Sequence, residues 1–230
     1  VARENNCFRE YFNAKYPKPV IAIICPEFSG GHYPDYLCAL HKYLSEENCE
    51  VCVATTNFSA ERTNELIAYY DKYSDVDGII CIGGKCSAAN DCQVPIVIID
   101  NDASADIMPD LRPAMMAVAA HLLKNGITSV GFIGEPLTQG KRRLFCEIME
   151  QSGIGANERL IVSSSKRFYE GGYEAMEQLL ASGEPPRAVV CAYDCMAVGA
   201  VQCINHHGLR VPEDIAVLGM DNIAGTPYLN

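Results

Sequence analysis

Acidic and aromatic side chains directly follow the most apolar runs of this sequence. Asp100 follows the apolar run IVII, and Asp221 follows VLGM. The pair Tyr193 and Asp194 follows AVVCA. A carboxylate can accept hydrogen bonds from two hydroxyls, and an aromatic ring covers the apolar face of a sugar ring. These residue types therefore predict a site for a neutral polyol. The alternatives are that Asp100 opens a turn and that Asp221 caps the next segment.

A second aromatic group follows the first apolar run, VIAIIC. It contains Phe28, Ser29, His32 and Tyr33 in the stretch EFSGGHY. We expect one of its rings to stack on a ligand, while the others seal the loop against the first helix. Tyr193 has the same two interpretations, because its hydroxyl can contact a ligand or its ring can pack between lobes.

Three cations, Lys141, Arg142 and Arg143, stand at the start of a predicted helix. The helix dipole disfavours positive charge at that end, so the run favours a functional role. At least one of the three is expected to be a solvated surface residue. If more than one of these three side chains points into the ligand site, an anionic ligand such as a sugar phosphate or a sugar acid is favoured.

Other kinds of chemistry have little support. The sequence has no G-x-G-x-x-G, P-loop or G-x-S-x-G motif and no His-rich metal constellation, so we predict neither an enzyme nor a bound metal or cofactor. Cys49 and Cys52 form a CxxC, but inside a strand pattern without a second ligand pair. A net charge of −11 disfavours direct contact with nucleic acid. Cysteines inside apolar runs, and the absence of a signal or membrane segment, predict a cytoplasmic location.

Apolar runs alternate with helical patterns along the whole chain. Strands are predicted at 20–25, 52–55, 78–83, 95–100, 130–134, 160–162, 188–192 and 215–219. A helical stretch with Leu37, Leu40 and Leu44 on one face follows the first strand, and further helices are predicted near 60–73, 113–125, 141–152, 170–182 and 195–207. Because the strands are continuously apolar, both faces of each sheet must be covered, as in parallel α/β sheets. The polar stretch 101–113 interrupts the alternation and predicts a crossing between lobes.

The predicted fold is thus α/β with two Rossmann-like lobes, an N-terminal lobe at 18–105 and a C-terminal lobe at 106–230. Residues 1–17 are predicted to be a helical lead-in. In open parallel sheets ligands bind beyond the carboxyl ends of the strands, so the two groups of strand-end residues are expected to face each other across a cleft.

The C-terminal stretch PPRAVVCAYDCMAVGAVQCINHHGLRVPEDIAVLGMDNIAGTPYLN resembles the effector-binding domain of the lactose-repressor/galactose-repressor (LacI/GalR) family. The resemblance continues upstream through GYEAMEQLL, SVGFIG, AAHLLKNGI and VDGII. It implies a type I periplasmic-binding-protein-like fold and a homodimeric transcriptional repressor. Such a protein binds DNA through an N-terminal helix-turn-helix that this chain lacks and takes a small sugar-like effector between its lobes. It also implies a last crossing and a final N-lobe strand that lie beyond Asn230.

Departures from the family pattern bear on the ligand. His32 and Tyr33 stand where the family has an aromatic pair, and Tyr193 replaces an amide residue before Asp194. Phe168 falls where the family places an aromatic residue near the ligand. Two other functions stay open, an extracytoplasmic sugar-binding transport protein and a degenerate sensor that acts mainly through dimerisation.

Overall fold

Two four-stranded parallel sheets organise the part of the chain that the structure, a computed structural model, describes: residues 18–28, 33–83, 86–100 and 105–223. The chain divides into two compact units, residues 1–109 and 110–230, and this division lies inside the predicted crossing. The predicted lead-in at 1–17 lies outside the described residues. No helix in the described ranges is long and apolar enough to span a membrane.

The described part of the first unit contains strands β1 to β4 and two α-helices. The strands are β1 (Val20–Cys25), β2 (Glu50–Thr55), β3 (Gly78–Ile82) and β4 (Ile96–Ile99), and the helices are α1 (Tyr33–Glu46) and α2 (Ala60–Tyr73). The strand order is β2-β1-β3-β4, with every neighbouring pair parallel. One apolar cluster covers each face: Leu66, Ile67 and Tyr70 of α2 pack on one side, and Leu37 and Leu40 of α1 on the other.

The second unit repeats this arrangement. Its strands are β5 (Val130–Gly134), β6 (Ile161–Ser163), β7 (Ala188–Cys191) and β8 (Ala216–Leu218), and its helices are α3 (Arg112–Lys124), α4 (Gln139–Gln151), α5 (Phe168–Ala181) and α6 (Asp194–His206). The order β6-β5-β7-β8 is again wholly parallel. The chain leaves β5 toward one edge and returns through β7 toward the other, which makes the gap between β5 and β7 the switch point where ligands bind in such sheets.

The predicted α/β class and parallel sheets are confirmed, and the reason is visible in burial. Every residue of β5 and β7 is buried, because helices cover both faces of the sheet. Phe132 of β5 and Phe145 of α4 are fully buried, with ring centroids 5.2 Å apart. Gly126 and Gly208 follow α3 and α6 with φ of +66° and +72°, the left-handed turn that their positions predicted.

Helices α5 and α6 approach each other through glycines. A Cβ at Gly172 would overlap the backbone of Met196, and a Cβ at Gly199 would overlap the carbonyl of Tyr169. Glycine is therefore required for this close approach and not for flexibility.

We expect Gly172→Ala to lower the free energy of unfolding of the second unit by about 1–3 kcal/mol, because the added methyl must push two backbones apart. Urea unfolding followed by circular dichroism measures this change. Gly140→Ala is the matched control, since Gly140 also lies in a helix but has open space around its Cβ position. Equal stability of the two variants would contradict the close packing of α5 on α6.

Candidate functional site

Charged and aromatic side chains gather where the strands of the second sheet end. Glu135 directly follows β5, Tyr193 and Asp194 follow β7, and Asp221 follows β8. Since β5, β7 and β8 are neighbours in the sheet, their carboxyl ends bring these residues together. With two cations from the adjacent helices they form what we call the strand-end cluster: Glu135, Lys141, Arg167, Tyr193, Asp194 and Asp221.

The carboxylate of Glu135 is the most deeply buried charge of the cluster, with the whole residue 1% exposed. Its Oε1 accepts a hydrogen bond from the Tyr193 hydroxyl at 2.9 Å, and its Oε2 accepts one from the backbone N–H of Leu137 at 2.8 Å. The Nε of Arg167 lies 3.5 Å from the same Oε1. Glu135 also begins the short 3-10 helix Pro136–Thr138, where Thr138 completes a capping box. Glu135 thus combines a structural cap with a charged anchor for Tyr193.

Tyr193 connects the acidic and the cationic parts of the cluster. Burial and the neighbouring Glu135 carboxylate raise the pKa of its hydroxyl well above the ordinary value, so the phenol stays protonated and donates. The Lys141 ammonium lies 4.7 Å from the centroid of its ring, and the Phe168 ring centroid is 5.9 Å away. The Tyr193 ring therefore forms an aromatic wall beside the lysine.

Lys141 is the one residue of the predicted cationic run that enters the cluster. Its Nζ donates to the backbone carbonyl of Ala192 at 2.6 Å and lies 3.5 Å from Oδ1 of Asp221. Desolvation lowers the pKa of this ammonium, and the Asp221 carboxylate opposes that shift. A buried cation that keeps donors available near an open carboxylate is suited to binding a hydroxyl ligand.

Asp194 and Asp221 have different tasks. The carboxylate of Asp194 accepts hydrogen bonds from the backbone N–H of Asp221 at 3.2 Å and of Ile223 at 2.9 Å, so it fixes the chain after β8. A Cβ at Gly219 would collide with this carboxylate, which requires glycine there. The side chain of Asp221 is only 4% exposed, and its Oδ2 has no hydrogen-bond partner among the described residues. Asp221 thus supplies a buried acceptor that a ligand could use.

The start of α5 supplies Arg167 and Phe168 under backbone strain. Phe168 has φ of +53°, a left-handed conformation that is costly for a bulky residue. In this conformation the Arg167 guanidinium lies 4.4 Å from the Phe168 ring centroid while Nε points to Glu135. Strain of this kind is concentrated at functional sites, which supports a binding role for this corner.

The other two cations of the run lie elsewhere. Arg142 forms an ion pair with Glu158 at 2.7 Å on the surface, and Arg143 is exposed. Their proposed ligand roles stay predictions, but the structure does not bring them to the strand-end cluster.

The candidates of the first unit lie at the carboxyl end of its own sheet. Phe28 is exposed after β1, and Asp100 is half-buried after β4. Tyr33 begins α1 and packs against Ile23, Cys25 and Ile82, and its ring centroid lies 6.1 Å from that of Phe58 in an edge-to-face arrangement.

Of the remaining sequence candidates, Ser29 and His32 lie outside the described residues. The ligand roles of Tyr33 and of the exposed Phe28 stay predictions.

Two members of the cluster were not singled out as ligand residues, although the sequence placed Glu135 in the strand-end stretch 135–143 and Arg167 beside the candidate Phe168. Glu135 directly follows a buried strand, the position that marked Asp100 and Asp221, but its neighbour Pro136 favours a capping interpretation. Arg167 adjoins the predicted Phe168. Two features of the sequence could have pointed to these residues. Glu135 is a charged residue at a strand end, and Arg167 is a charged residue beside an aromatic candidate. Among the described residues, no group of three or more His, Cys, Asp and Glu side chains could hold a metal ion.

The burial of Lys141 predicts a pH-dependent stability. Because its folded pKa lies below its ordinary value of 10.5, the unfolded chain binds more protons between the two values. Burial of the charged Lys141 therefore lowers the free energy of unfolding by its full amount below the folded pKa. This loss of stability disappears as pH rises toward 10.5. The free energy of unfolding of the wild type relative to Lys141→Met should rise across this window in denaturant titrations. For Lys124→Met, which removes an exposed lysine, the difference should stay flat; a flat difference for Lys141→Met too would show that burial does not penalise the ammonium.

The chain is similar to a known domain family and to known transcriptional repressors. A family described as "Periplasmic binding protein-like domain" matches residues 119–229. An HTH-type transcriptional repressor PurR of Glaesserella parasuis is 30% identical over 222 residues, which is 90% of this chain and 64% of the relative. A ribose operon repressor of Haemophilus influenzae is 25% identical over 91% of this chain and 66% of its own length. The chain thus spans just under two thirds of each of these relatives.

A solved structure of a transcriptional regulator is also similar to this chain. It is described as a sugar-binding transcriptional regulator of the LacI family from Escherichia coli complexed with phosphate. It matches with a TM-score of 0.76 and 25% identity over 91% of this chain and 80% of that chain. The parallel sheets and these likenesses together identify a periplasmic-binding-protein-like α/β fold, similar to that of LacI-family transcriptional regulators.

Proposed function

We propose that this chain is the effector-sensing part of a cytoplasmic, homodimeric transcriptional repressor. In this proposal DNA is bound by a helix-turn-helix outside the chain, and a small sugar-like ligand between the lobes controls that binding. The names of the relatives support a regulator over an enzyme or a transport protein. The net charge of −11 supports a sensing part that leaves DNA contact to another domain.

The observation that carries the ligand site is the open acceptor of Asp221. A buried carboxylate oxygen without a donor costs about 1–3 kcal/mol, and a ligand hydroxyl placed there would recover that cost. Lys141, 3.5 Å from the other oxygen, adds a donor for the same or a neighbouring hydroxyl. The Tyr193 and Phe168 rings beside them offer apolar faces for a sugar ring.

The charges of the cluster favour a neutral ligand over an anionic one. Three carboxylates, those of Glu135, Asp194 and Asp221, accompany two cations, Lys141 and Arg167. When all are ionised the cluster keeps one excess negative charge, which repels a phosphate or carboxylate group. Hydroxyl donors instead pair with the surplus acceptors, so a neutral sugar fits better than a sugar phosphate.

A ligand can regulate DNA binding only through its difference in affinity for two arrangements of the protein. Asp194 gives the site a route to such a difference, because it fixes the backbone that carries Asp221. A ligand that bonds to Asp221 therefore acts on the segment after β8.

The first test is a thermal-shift panel of neutral sugars, sugar phosphates, sugar acids and nucleobases. A ligand at a concentration 100 times its Kd stabilises the folded state by about 2.7 kcal/mol, which raises the Tm by roughly 5–10 °C for a chain of this size. We expect shifts with neutral sugars. A response to anionic sugars alone would contradict the charge argument, and no response from a well-folded protein would favour the degenerate sensor.

The second test assigns the site. Asp221→Asn keeps the shape but weakens the acceptor and removes the carboxylate beside the buried Lys141, so the unliganded Tm should fall and the Tm shift produced by the panel's best ligand should disappear. Arg142→Gln is the matched control, since Arg142 pairs with Glu158 on the surface and should leave the shift intact. An unchanged shift in Asp221→Asn would place the ligand elsewhere.

A further inference from the structure

Two cysteine thiols of the first unit lie in direct contact. The Sγ atoms of Cys81 and Cys86 are 3.0 Å apart. Cys81 is the fully buried fourth residue of β3, and Cys86 is half-buried just before the short 3-10 helix Ser87–Asp91. The two sulfurs are thus as close as hydrogen-bonded groups, closer than two unbonded core side chains need to be.

The position of Cys86 is fixed from α2. Oδ1 of Asn64 accepts hydrogen bonds from the backbone N–H of Ala88 at 2.7 Å and from the Ser87 hydroxyl at 3.2 Å. These bonds attach the 3-10 helix to α2 directly after Cys86. The fold therefore holds the two sulfur atoms together before any reaction. Bond formation between them does not have to pay the entropy cost of bringing two distant groups into contact.

The far end of the same segment is attached to α2 in the same way. Oδ1 of Asp71 accepts from the backbone N–H groups of Gln93 at 2.7 Å and Val94 at 3.1 Å. Hydrogen bonds from α2 thus hold the segment on both sides of Ser87–Asp91.

The two thiols are chemically unequal. The hydrogen bond from Cys81 lowers the pKa of Cys86, whereas the same bond, with burial, raises the pKa of Cys81. Thiolate is the reactive form of cysteine, so Cys86, which is also the more accessible sulfur, is the one that meets an oxidant first.

We propose that Cys81 and Cys86 form a reversible dithiol oxidation site for peroxides, a property separate from effector binding. The Cys86 thiolate attacks one peroxide oxygen; the O–O bond breaks, and Cys86 becomes a sulfenic acid as hydroxide leaves. The Cys81 thiol then attacks that sulfur, forming the S–S bond and releasing water. In sum, two thiols and one hydrogen peroxide give one disulfide and two waters, and a dithiol reductant reverses the change.

Other cysteines of this unit lack such a contact among the described residues. Cys92 donates to the carbonyl of Val94 at 3.3 Å and to Asp71 at 3.5 Å, and Cys25 lies 3.7 Å from the carbonyl of Glu27. Cys52 packs in the same apolar cluster as Cys81 and Cys86, and among the described residues no thiol contacts its sulfur. Cys52 and Cys92 therefore serve as matched controls.

The site can be tested on the full chain because Lys85 lies between the two cysteines. The reduced protein is treated with hydrogen peroxide, alkylated under denaturing conditions and digested with trypsin. Cys81 then lies in peptide 73–85 and Cys86 in peptide 86–124. We expect mass spectrometry to show these two peptides joined, with the loss of two hydrogen atoms, and separated again by dithiothreitol.

Single-cysteine variants show which two cysteines form the disulfide. The joined peptides should disappear in Cys81→Ala and in Cys86→Ala but persist in Cys52→Ala and Cys92→Ala. Asn64→Ala should slow joining about tenfold while Cys86 still reacts with a sulfenic-acid trap such as dimedone, because Asn64 positions Cys86 and does not activate it. Persistence in Cys86→Ala, loss in Cys92→Ala, or over-oxidation of Cys86 with Cys81 left free in the wild type would each overturn the proposal.

Discussion

A buried carboxylate must find donors, and this constraint organises the second unit. Removing one partner from a buried charge typically costs several kcal/mol, so Glu135, at 1% exposure, needs the hydroxyl of Tyr193 and the N–H of Leu137. The long side chain of Tyr193 reaches from the end of β7 to Glu135 at the end of β5. The same hydrogen bond holds the aromatic ring beside Lys141.

Asp194 extends this framework from β7 to β8. Its carboxylate accepts two backbone N–H groups after β8, and the absence of a side chain at Gly219 lets it approach. Asp194 was predicted as a ligand residue, and that role stays a prediction. The two hydrogen bonds that it accepts here hold the backbone that carries Asp221. Among the described residues of the cluster, the carboxylate oxygen without a hydrogen-bond partner is Oδ2 of Asp221.

Much of the fold was predictable because burial on both faces leaves a continuous apolar signal, as in VIAIIC and AVVCA, and because helix ends carry glycines such as Gly208. The sequence also located Lys141, Tyr193 and Asp221 near strand ends. It could not choose Lys141 over Arg142, because that choice depends on which face of α4 meets Ala192 and which meets Glu158. Glu135 was missed since a residue before proline has an adequate local role as a cap, and its long-range partner is invisible in one sequence.

Two energetically unfavourable features belong to the strand-end cluster of the second unit and the adjacent start of α5. Phe168 adopts a left-handed backbone conformation that a bulky residue avoids, and Oδ2 of Asp221 is buried without a donor in the described residues. Each costs on the order of 1–3 kcal/mol, a large share of a domain's net stability. Natural sequences rarely keep such costs without a compensating gain, and they keep them mainly at functional sites. Under the proposed function, a hydroxyl donor at Asp221 would remove one cost directly. The left-handed backbone at Phe168 accompanies the placement of its ring beside Arg167 and Tyr193.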